Sequence, residues 1–396
     1  MHKIFQISIE VNVNSVGKIA EQIGETAMNR GWESYITCCR NGCRPSKSKT
    51  IKIGNWLDVY WHGIMTRLFD SHCLHSTRAT KKLIKQIESI NPDVIHLHHI
   101  HGYFLNMKVL FDYLNKSNKP VVWTFHDCWS FTGHCAHFVT ANCYKWKEEG
   151  CHNCPLKGDY PKSYYDGSKR NFRIKKKLFS ANNNLHIITV SEWLASFTRD
   201  SFLGDKDIRV INNGVDIHKF TPSGCKTSGI FKIIGVASLW SKDKGLYDFY
   251  KLREFLPEDY EITLVGLTSE QIAKLPVGIK GITRTESVEQ LARLYSEANV
   301  MVNPTYADSF PTVNMEALAC GTPVITYRTG GSPEIIDDKT GVVVEQGDVE
   351  GLVLAIKQIK EHPLSSIDCR NRAVQKYDKD KRFADYVNLY ESLTQV

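Results

Sequence analysis

Short apolar runs alternate with amphipathic segments along the chain. In the first half, the runs KIFQIS, DVIHLHHI and PVVWTFHD are rich in β-branched residues and end in polar ones. Continuous apolar runs of this length are typical of parallel strands buried on both faces, so working groups are expected at their carboxyl ends. Between the first two strands, GKIAEQIGETAMNRG has helical periodicity, and Gly31 predicts the end of that helix.

A second series of alternating runs starts near residue 231, with FKIIGVASL, YEITLVG, NVMVNPT, TPVITY and GVVVE as its strands. The segment NNGVDIHKFTPSGCKTSG (212–229) separates the two series and has the composition of a linker. A chain of 396 residues also exceeds the size of one ordinary core. We therefore predict two doubly wound α/β domains, 1–217 and 218–376, which face a central cleft. A terminal helix, 377–396, is expected to pack back on the first domain.

Composition and charge narrow the class of protein. The chain is 42% hydrophobic and 23% charged, and it lacks any apolar run of membrane-spanning length. The N-terminus has the pattern of a strand rather than a signal peptide, so we predict a cytoplasmic protein. Of the net charge of +7, the excess lies in residues 1–217, which hold 29 Lys/Arg and 19 Asp/Glu.

The segment KRNFRIKKK (169–177) has six basic residues in nine. Such a patch is suited to phosphates or an anionic membrane face, or it is simply a solvated helix face. No zinc-finger, RNP or helix-turn-helix pattern accompanies it, so we predict no nucleic-acid partner.

Two acids flank a predicted helix start in ADSFPTVNMEALACGTPVI. Asp308 precedes the turn and Glu316 lies within the helix, which Thr312 or Asn314 is expected to cap. The amides of Thr312, Val313 and Asn314 would then face outward, where a diphosphate can rest on them. Glu316 would reach a ribose and Asp308 a sugar hydroxyl. The alternative is that both acids only stabilise the helix end.

Histidines concentrate after two of the predicted strands. His126 ends PVVWTFHD and is followed by Asp127, a position where ligand contacts are common in α/β folds. The run HLHHIHG contains four more: His96, His98, His99 and His101. Alternation places His96 and His98 on one strand face as a potential metal pair, but the sequence offers no third ligand.

Gly17 lies in NSVG, between the first predicted strand and helix. A residue without a side chain there lets the backbone approach a diphosphate. A glycine at such a turn also has a purely steric explanation.

Four cysteines in a predicted insert, 128–155, have the spacing C-x7-C-x7-C-x2-C. Cys135, Cys143, Cys151 and Cys154 would complete a tetrahedral structural zinc site, in which His134, His137 or Cys128 could replace one of them. Unpaired thiols and disulfides are the alternatives. The other cysteines, including Cys38, Cys39 and Cys320, are interpreted as small buried apolar residues.

Taken together, the motifs resemble one family over essentially the whole chain. Asp308-x7-Glu316 with the sequence after it is similar to the Glu-x7-Glu region of family 4 retaining glycosyltransferases of the GT-B fold. VINNGVDIHKF resembles the interdomain segment of that family, SLWSKDKGL its phosphate-binding Lys-Gly turn, and NVNSVGKIAEQIG its first glycine loop. TFHDCWSFTGHCAHF and CYKWKEEGCHNCP resemble the colanic-acid and capsular-polysaccharide subgroup.

The resemblance assigns roles to individual residues. Glu316 would bind the donor ribose, Asp308 the transferred sugar, and Lys244 the donor diphosphate. His126 would lie beside the reacting sugar, and Arg284 in GITRTES would line the nucleotide. The family uses no catalytic metal, so no cofactor is expected for catalysis.

Two positions depart from the family pattern. The first acid is Asp308 rather than Glu, and the Arg expected shortly before Lys244 is absent, with Lys242 as its substitute. A lysine does not reproduce the bidentate geometry of arginine. These departures keep a non-catalytic partner subunit of the same fold as one alternative. A non-hydrolysing sugar-nucleotide epimerase, which has the same fold and would bind the same donor, is the other.

The resemblance implies transfer of a hexose from a nucleotide-diphosphate sugar to a glycan acceptor, with retention, in capsular or exopolysaccharide biosynthesis. The acceptor is expected to be linked to a polyprenyl diphosphate, which would place the protein at the inner membrane face. The aromatic segment NWLDVYWHGIMTRLF (55–69) is interpreted either as a lipid contact or as a buried amphipathic helix.

Overall fold

A computed structural model describes residues 1–39, 42–224 and 229–395. The chain divides into two compact units, and each is described by itself. Unit 1 comprises Met1–Ile211 and Phe383–Val396, and unit 2 comprises Asn212–Arg382.

Unit 1 contains a seven-stranded sheet in which all strand pairs are parallel. Its strand order is β3-β2-β1-β4-β5-β6-β7, so the order reverses between β1 and β4. The strands are β1 (Lys3–Ile7), β2 (Glu33–Cys38), β3 (Lys49–Lys52), β4 (Val94–Leu97), β5 (Val121–Phe125), β6 (Leu185–Thr189) and β7 (Asp207–Val210).

The first six helices of the chain belong to unit 1: α1 (Asn14–Asn29), α2 (Trp56–Phe69), α3 (Thr77–Ile90), α4 (Met107–Leu114), α5 (Ser168–Ser180) and α6 (Glu192–Arg199). The last helix, α14 (Lys379–Thr394), enters unit 1 at Phe383. Its residues Tyr386 and Tyr390 are buried against the sheet in one apolar cluster with Ile4 and Val122.

Unit 2 contains a six-stranded parallel sheet of order β10-β9-β8-β11-β12-β13, which reverses between β8 and β11. Its strands are β8 (Phe231–Val236), β9 (Tyr260–Val265), β10 (Ile279–Ile282), β11 (Val300–Asn303), β12 (Val324–Tyr327) and β13 (Gly341–Val344). Its helices are α7 (Leu246–Phe255), α8 (Ser269–Ile272), α9 (Val288–Glu297), α10 (Thr312–Ala319), α11 (Ser332–Ile335), α12 (Val349–Glu361) and α13 (Ser366–Lys376).

The predicted fold class of two α/β units with parallel sheets is confirmed. The unit boundary lies after Ile211 rather than residue 217, and the chain returns to unit 1 at Phe383 rather than residue 377. Part of the predicted linker, residues 225–228, lies outside the described residues. No helix within the described ranges has both the length and the apolarity needed to cross a bilayer.

Candidate functional site

The candidate site in unit 2 is built by loops that follow β8 and β11, at the point where the strand order reverses. Ligands of open α/β sheets bind outside the carboxyl ends of the strands at such a point. After β8, the chain forms a short 3-10 turn, Lys242–Lys244, and then passes through Gly245 with φ of 75°. A Cβ on Gly245 would lie 2.2 Å from the carbonyl oxygen of Pro304, so only glycine allows this approach of the two loops.

Lys244 and Asp308 form an ion pair across these two loops. The Nζ of Lys244 lies 2.7 Å from Oδ2 of Asp308, and both side chains are partly exposed. The other carboxylate oxygen of Asp308 accepts a hydrogen bond from the amide of Phe310 at 3.3 Å. Gly330 packs against the carbonyl of Asp308, where an added Cβ would lie 1.7 Å from the oxygen. The sequence predicted both residues at the site but not their direct pairing.

Helix α10 begins without a side-chain cap. Pro311 occupies the cap position and makes no side-chain cap hydrogen bond, and the first turn contains no acidic residue. The prediction that Thr312 or Asn314 caps this helix is therefore wrong. Thr312 is the first helical residue, and fully buried Asn314 accepts a hydrogen bond from the Nδ2 of Asn303 at 2.8 Å. The start of α10 thus presents amides and the positive end of the helix dipole.

Glu316 lies on α10 and is held by a tyrosine that the sequence did not single out. The hydroxyl of Tyr295, on α9, donates a hydrogen bond to Oε2 of Glu316 at 3.1 Å. Tyr295 is fully buried, and burial raises the pKa of its hydroxyl well above its ordinary value. It therefore serves as a neutral donor that orients the carboxylate. In the sequence, Tyr295 looks like any apolar residue of an amphipathic helix, so no signal marked it.

The remaining predicted donor residues are more exposed. Lys242 starts the 3-10 turn that ends at Lys244, and Arg284 follows β10. Both side chains belong to exposed residues. Val313 is half-buried in the first turn of α10.

Gly17 does not lie in the loop where the sequence analysis placed it. Helix α1 begins earlier than predicted, at Asn14, so Gly17 is in its first turn. It packs against Glu10, whose Cβ would lie 3.1 Å from a Cβ added at Gly17. Close packing of helix and loop explains this glycine.

In unit 1, the carboxyl ends of β1, β4 and β5 bring His126 together with two polar side chains. The Nε2 of His126 lies 3.3 Å from Nδ1 of His98, whose Nε2 lies 3.0 Å from Oε1 of Gln6. Burial lowers the pKa of His126 and of His98 well below the ordinary value for histidine. Both imidazoles are therefore neutral at physiological pH.

His96 has a structural role. Its ring lies 4.0 Å from that of His98, as the alternation predicted, but its nitrogens contact Thr124 Oγ1 at 2.8 Å and the hydroxyl of Tyr390 at 2.7 Å. Burial lowers the pKa of His96 to about 3. Both nitrogens of His96 are therefore used in core hydrogen bonds, one of them to α14, and they are not available for a metal pair with His98.

Asp127 is buried and lies beside two other histidines of the run. Its Oδ2 lies 3.0 Å from Nε2 of His101 and 3.3 Å from Nε2 of His99. Its Oδ1 accepts a hydrogen bond from the amide of Trp129 at 2.9 Å. Burial opposes ionisation of Asp127, but the interactions with His101 and His99 lower its pKa well below the ordinary value.

The cysteines of the insert are free thiols in this structure: Cys128, Cys135, Cys143, Cys151 and Cys154. A hydrogen bond with Cys135 lowers the pKa of Cys154 to about 7, and the amide of Gly133 donates to the sulfur of Cys151 at 3.1 Å. His134 instead pairs with Asp70 at 2.7 Å. Within the described ranges, the sulfur atoms of these four cysteines do not lie close enough together to form a group of potential metal ligands. Zinc at these cysteines stays a prediction.

Elsewhere, Cys38 forms a disulfide with Cys43, which corrects its interpretation as an unpaired apolar residue. Cys39 and Cys320 are buried, as expected.

The basic segment 169–177 forms most of α5, but its charges do not all face solvent. Lys175 is buried, and its ammonium group donates to the carbonyls of Trp129 at 2.6 Å and Thr132 at 3.0 Å. The same group lies 3.3 Å from the centroid of the Trp129 ring. One of the six basic residues therefore supports the insert from within the core, which the charge pattern did not indicate.

The aromatic segment 55–69 forms α2, and its apolar side chains are exposed. Only His62 and Thr66 of this helix are buried, so the buried-helix interpretation is wrong. Trp56 is 72% exposed and Tyr60 is 66% exposed. They form one wall of a groove of about 1090 Å³, here called the α2 groove. Its apolar and aromatic lining includes Trp56, Val59, Tyr60, Ile64, Leu68, Tyr103 and Tyr160, and its basic residues are Lys52, Arg67 and Lys162.

Comparison with known proteins identifies the family. Residues 16–219 match Glycosyltransferase Family 4, and residues 231–362 match Glycosyl transferases group 1. An Escherichia coli K12 protein named "Putative colanic acid biosynthesis glycosyl transferase WcaC" is 30% identical, over 98% of this chain and 100% of its own. The MMP alpha-(1->4)-mannosyltransferase of Mycolicibacterium hassiacum is 30% identical over 52% of this chain and 53% of its own.

Solved structures share the fold at low sequence identity. The sucrose-phosphate synthase of Thermosynechococcus elongatus superposes with a TM-score of 0.73 at 18% identity, covering 99% of both chains. Anabaena Alr3699/HepE, crystallised with UDP and glucose, gives a TM-score of 0.67 at 16% identity and covers 100% of both chains. The chain therefore belongs to glycosyltransferase family 4, has the GT-B fold, and is a glycosyltransferase.

Proposed function

We propose that this enzyme transfers a hexose from a nucleotide-diphosphate sugar to a glycan acceptor, with retention at the anomeric carbon, in capsular or exopolysaccharide biosynthesis. The observation that carries the proposal is the Lys244–Asp308 ion pair beside the uncapped start of α10. A cation, an acid and a set of helix amides then lie at the strand-order reversal of one sheet. Such a combination suits a diphosphate attached to a polyhydroxylated sugar.

The donor diphosphate would bind at the start of α10 and at Lys244. The helix dipole and the amides of Thr312 and Val313 favour negative charge there, and the first turn holds no acid that would repel it. As the bond to the sugar breaks, negative charge grows on the leaving diphosphate. The ammonium group of Lys244 and the fixed amides would stabilise that charge without reorganising.

Glu316 would bind the ribose and Asp308 the transferred sugar. The hydrogen bond from Tyr295 fixes the orientation of the Glu316 carboxylate before donor arrives. Asp308 is held through the amide of Phe310 and the close packing of Gly330. Both acids are thus positioned by contacts within unit 2, which reduces the ordering cost of binding.

The acceptor would bind unit 1. A neutral imidazole has one hydrogen-bond donor and one acceptor, so His126 is suited to a hydrogen bond with a sugar hydroxyl. The α2 groove combines apolar walls with Lys52, Arg67 and Lys162, which suits an isoprenoid chain carrying a phosphate or diphosphate. A lipid-linked acceptor would bring the enzyme to the inner face of the membrane as a peripheral protein.

The relatives supply the biological context of the proposal. The name of the relative that aligns over nearly the whole chain refers to colanic acid biosynthesis, which favours an extracellular polysaccharide as the product. Anabaena Alr3699/HepE was crystallised with UDP and glucose, which favours a nucleotide-activated hexose as the donor.

A screen of UDP- and GDP-sugars tests the proposal. A transferase releases nucleoside diphosphate slowly from one donor even without acceptor. Glu316→Ala should lower that release by about 10- to 100-fold, because a hydrogen bond to a charged group contributes about 1.5–3 kcal/mol. Glu350→Ala is the matched control, because Glu350 is an acid in the first turn of another helix of the same unit, α12. It should leave release unchanged.

Other outcomes of the screen would reject the proposal. An isomerised sugar nucleotide would identify an epimerase, and no binding of any donor would identify a non-catalytic subunit. Full activity of the Glu316→Ala variant would show that another residue binds the ribose.

A further inference from the structure

Three potential metal ligands converge at the carboxyl ends of β4 and β5, in unit 1. They are His99, His101 and Asp127, and their ligand atoms all lie within 4.8 Å of one another. Throughout the part of the chain that the structure describes, no other group of three or more His, Cys, Asp or Glu residues meets that criterion. The group lies outside the donor-binding residues of unit 2.

Ordinary hydrogen bonding accounts for only part of this arrangement. His101 pairs with Oδ2 of Asp127 at 3.0 Å, as a histidine and a carboxylate commonly do. The Nε2 of His99 points at the same oxygen from 3.3 Å, but it is buried without a hydrogen bond of acceptable geometry. A buried polar atom without a partner is costly, and a shared cation would satisfy both imidazoles and the carboxylate together.

Hydrogen bonds to atoms remote from the group orient two of the three ligands, Asp127 and His101. The amide of Trp129 binds Oδ1 of Asp127, which leaves Oδ2 directed at the histidines. The hydroxyl of Tyr160 lies 3.3 Å from Nδ1 of His101, so its Nε2 faces the carboxylate. Metal-binding histidines and carboxylates generally have such partners on their remote atoms, which fix the tautomer and the ring orientation.

The group has an accessible side. The side chain of His99 is 27% exposed, whereas those of His101 and Asp127 are 8% and 10% exposed. The ring of His99 also lies 5.2 Å from that of His126. Solvent therefore reaches the ring of His99 but not its Nε2, and three protein ligands leave a fourth coordination position for water or for a bound ligand.

We propose that His99, His101 and Asp127 bind one divalent transition-metal ion of the zinc class. Two imidazole nitrogens and a carboxylate oxygen form a donor set that suits Zn²⁺, Co²⁺, Ni²⁺ or Fe²⁺ and that contains no sulfur. The ion would hold His99 and Asp127 rigidly beside His126. The proposal concerns unit 1 alone and does not depend on the activity proposed above.

Titration of chelator-treated protein with Co²⁺ tests the proposal, because the spectrum of Co²⁺ reports its ligands. A site of nitrogen and oxygen ligands gives visible d–d bands without a thiolate-to-metal charge-transfer band, whereas cysteine ligands give that band. A variant carrying Cys135→Ser and Cys154→Ser serves as the background, so that metal bound by the insert does not obscure the result. We expect one Co²⁺ per chain in this background, free of the charge-transfer band.

His99→Gln and Asp127→Asn, made separately, should each weaken Co²⁺ binding by more than about tenfold. Loss of a residue that only contacts a metal ligand already lowers metal affinity by about 10- to 100-fold, and these two residues are proposed as direct ligands. His186→Gln is the matched control, because His186 pairs with Asp207 at 2.9 Å elsewhere in unit 1. Circular dichroism establishes that each variant is folded. Absence of Co²⁺ binding in the cysteine-substituted protein, or equal binding by His99→Gln and the control, would overturn the proposal.

Discussion

At the scale of single residues, the candidate donor site depends on charges that are paired before any ligand binds. Lys244 and Asp308 lie 2.7 Å apart, yet both are partly exposed, so the pair contributes little to stability on its own. Its effect is to hold the ammonium group at the loop junction formed by Gly245 and Pro304. A lysine held in place loses less conformational entropy when it binds phosphate.

Substitution of the two lysines of the 3-10 turn should separate their contributions. Lys244→Ala should weaken binding of the nucleoside diphosphate by about 10- to 100-fold, because a hydrogen bond to a charged group contributes about 1.5–3 kcal/mol. Lys242→Ala should have a smaller effect, because Lys242 is exposed and lies at the other end of the turn from Lys244, which contacts Asp308. Calorimetric titration of both variants measures the difference. Equal losses would show that Lys242 replaces the missing arginine in full.

At the scale of secondary-structure elements, two helices of unit 1 contain side chains whose exposure is the reverse of what their polarity alone suggests. Helix α2 exposes large aromatic residues, and helix α5 buries a lysine. Exposed apolar surface of this kind, bordered by basic residues, is typical of binding sites for lipids or partners. The buried lysine is explained by the two carbonyls and the indole ring that surround its ammonium group.

The α2 groove should bind isoprenoid phosphate in a bilayer. Trp56→Ser combined with Tyr60→Ser should lower binding to vesicles that contain an isoprenoid phosphate by about 100-fold or more, since each large aromatic side chain contributes about 1.5–3 kcal/mol on burial. Tyr247→Ser is the control, because Tyr247 is also more than half exposed but lies on α7 of unit 2. Co-sedimentation measures binding. Equal binding to vesicles with the same charge from a diacyl lipid would point to a general membrane contact instead of an acceptor site.

Lys175 should stabilise unit 1 from within α5. Lys175→Met removes the ammonium donor from the carbonyls of Trp129 and Thr132, which should lower the free energy of unfolding by about 2–4 kcal/mol. Lys176→Met, at the next and exposed position, should change it by less than about 0.5 kcal/mol. Denaturant unfolding followed by tryptophan fluorescence compares the two. A stable Lys175→Met protein would mean that the ammonium group is tolerated there and is not required.

At the scale of the whole molecule, the central strands and the edge strand β13 were predictable, whereas the edge strands β3 and β10 were not. β1, β4 and β5 are buried on both faces and appear as continuous apolar runs. β3 and β10, with the sequences KTIK and IKGI, lie at sheet edges, where exposed positions accept polar residues and the pattern disappears.

The site residues show the same division. Asp308, Glu316 and Lys244 were found because the resemblance marked them. Tyr295 and Lys175 were not, because their roles depend on which partners tertiary packing brings close, and that information is absent from local patterns.

The stereochemistry of transfer tests the mechanism of the complete enzyme. Asp308 is the carboxylate assigned to the transferred sugar, and its charge is engaged by Lys244 and by the amide of Phe310. A carboxylate held in this way is a poor nucleophile, so we expect departure and attack on the same face of the sugar. The product should keep the anomeric configuration of the donor, which NMR of the isolated glycoside determines. An inverted product would reject the retaining mechanism, and a glycosylated Asp308 peptide found by mass spectrometry would replace same-face attack with a two-step displacement.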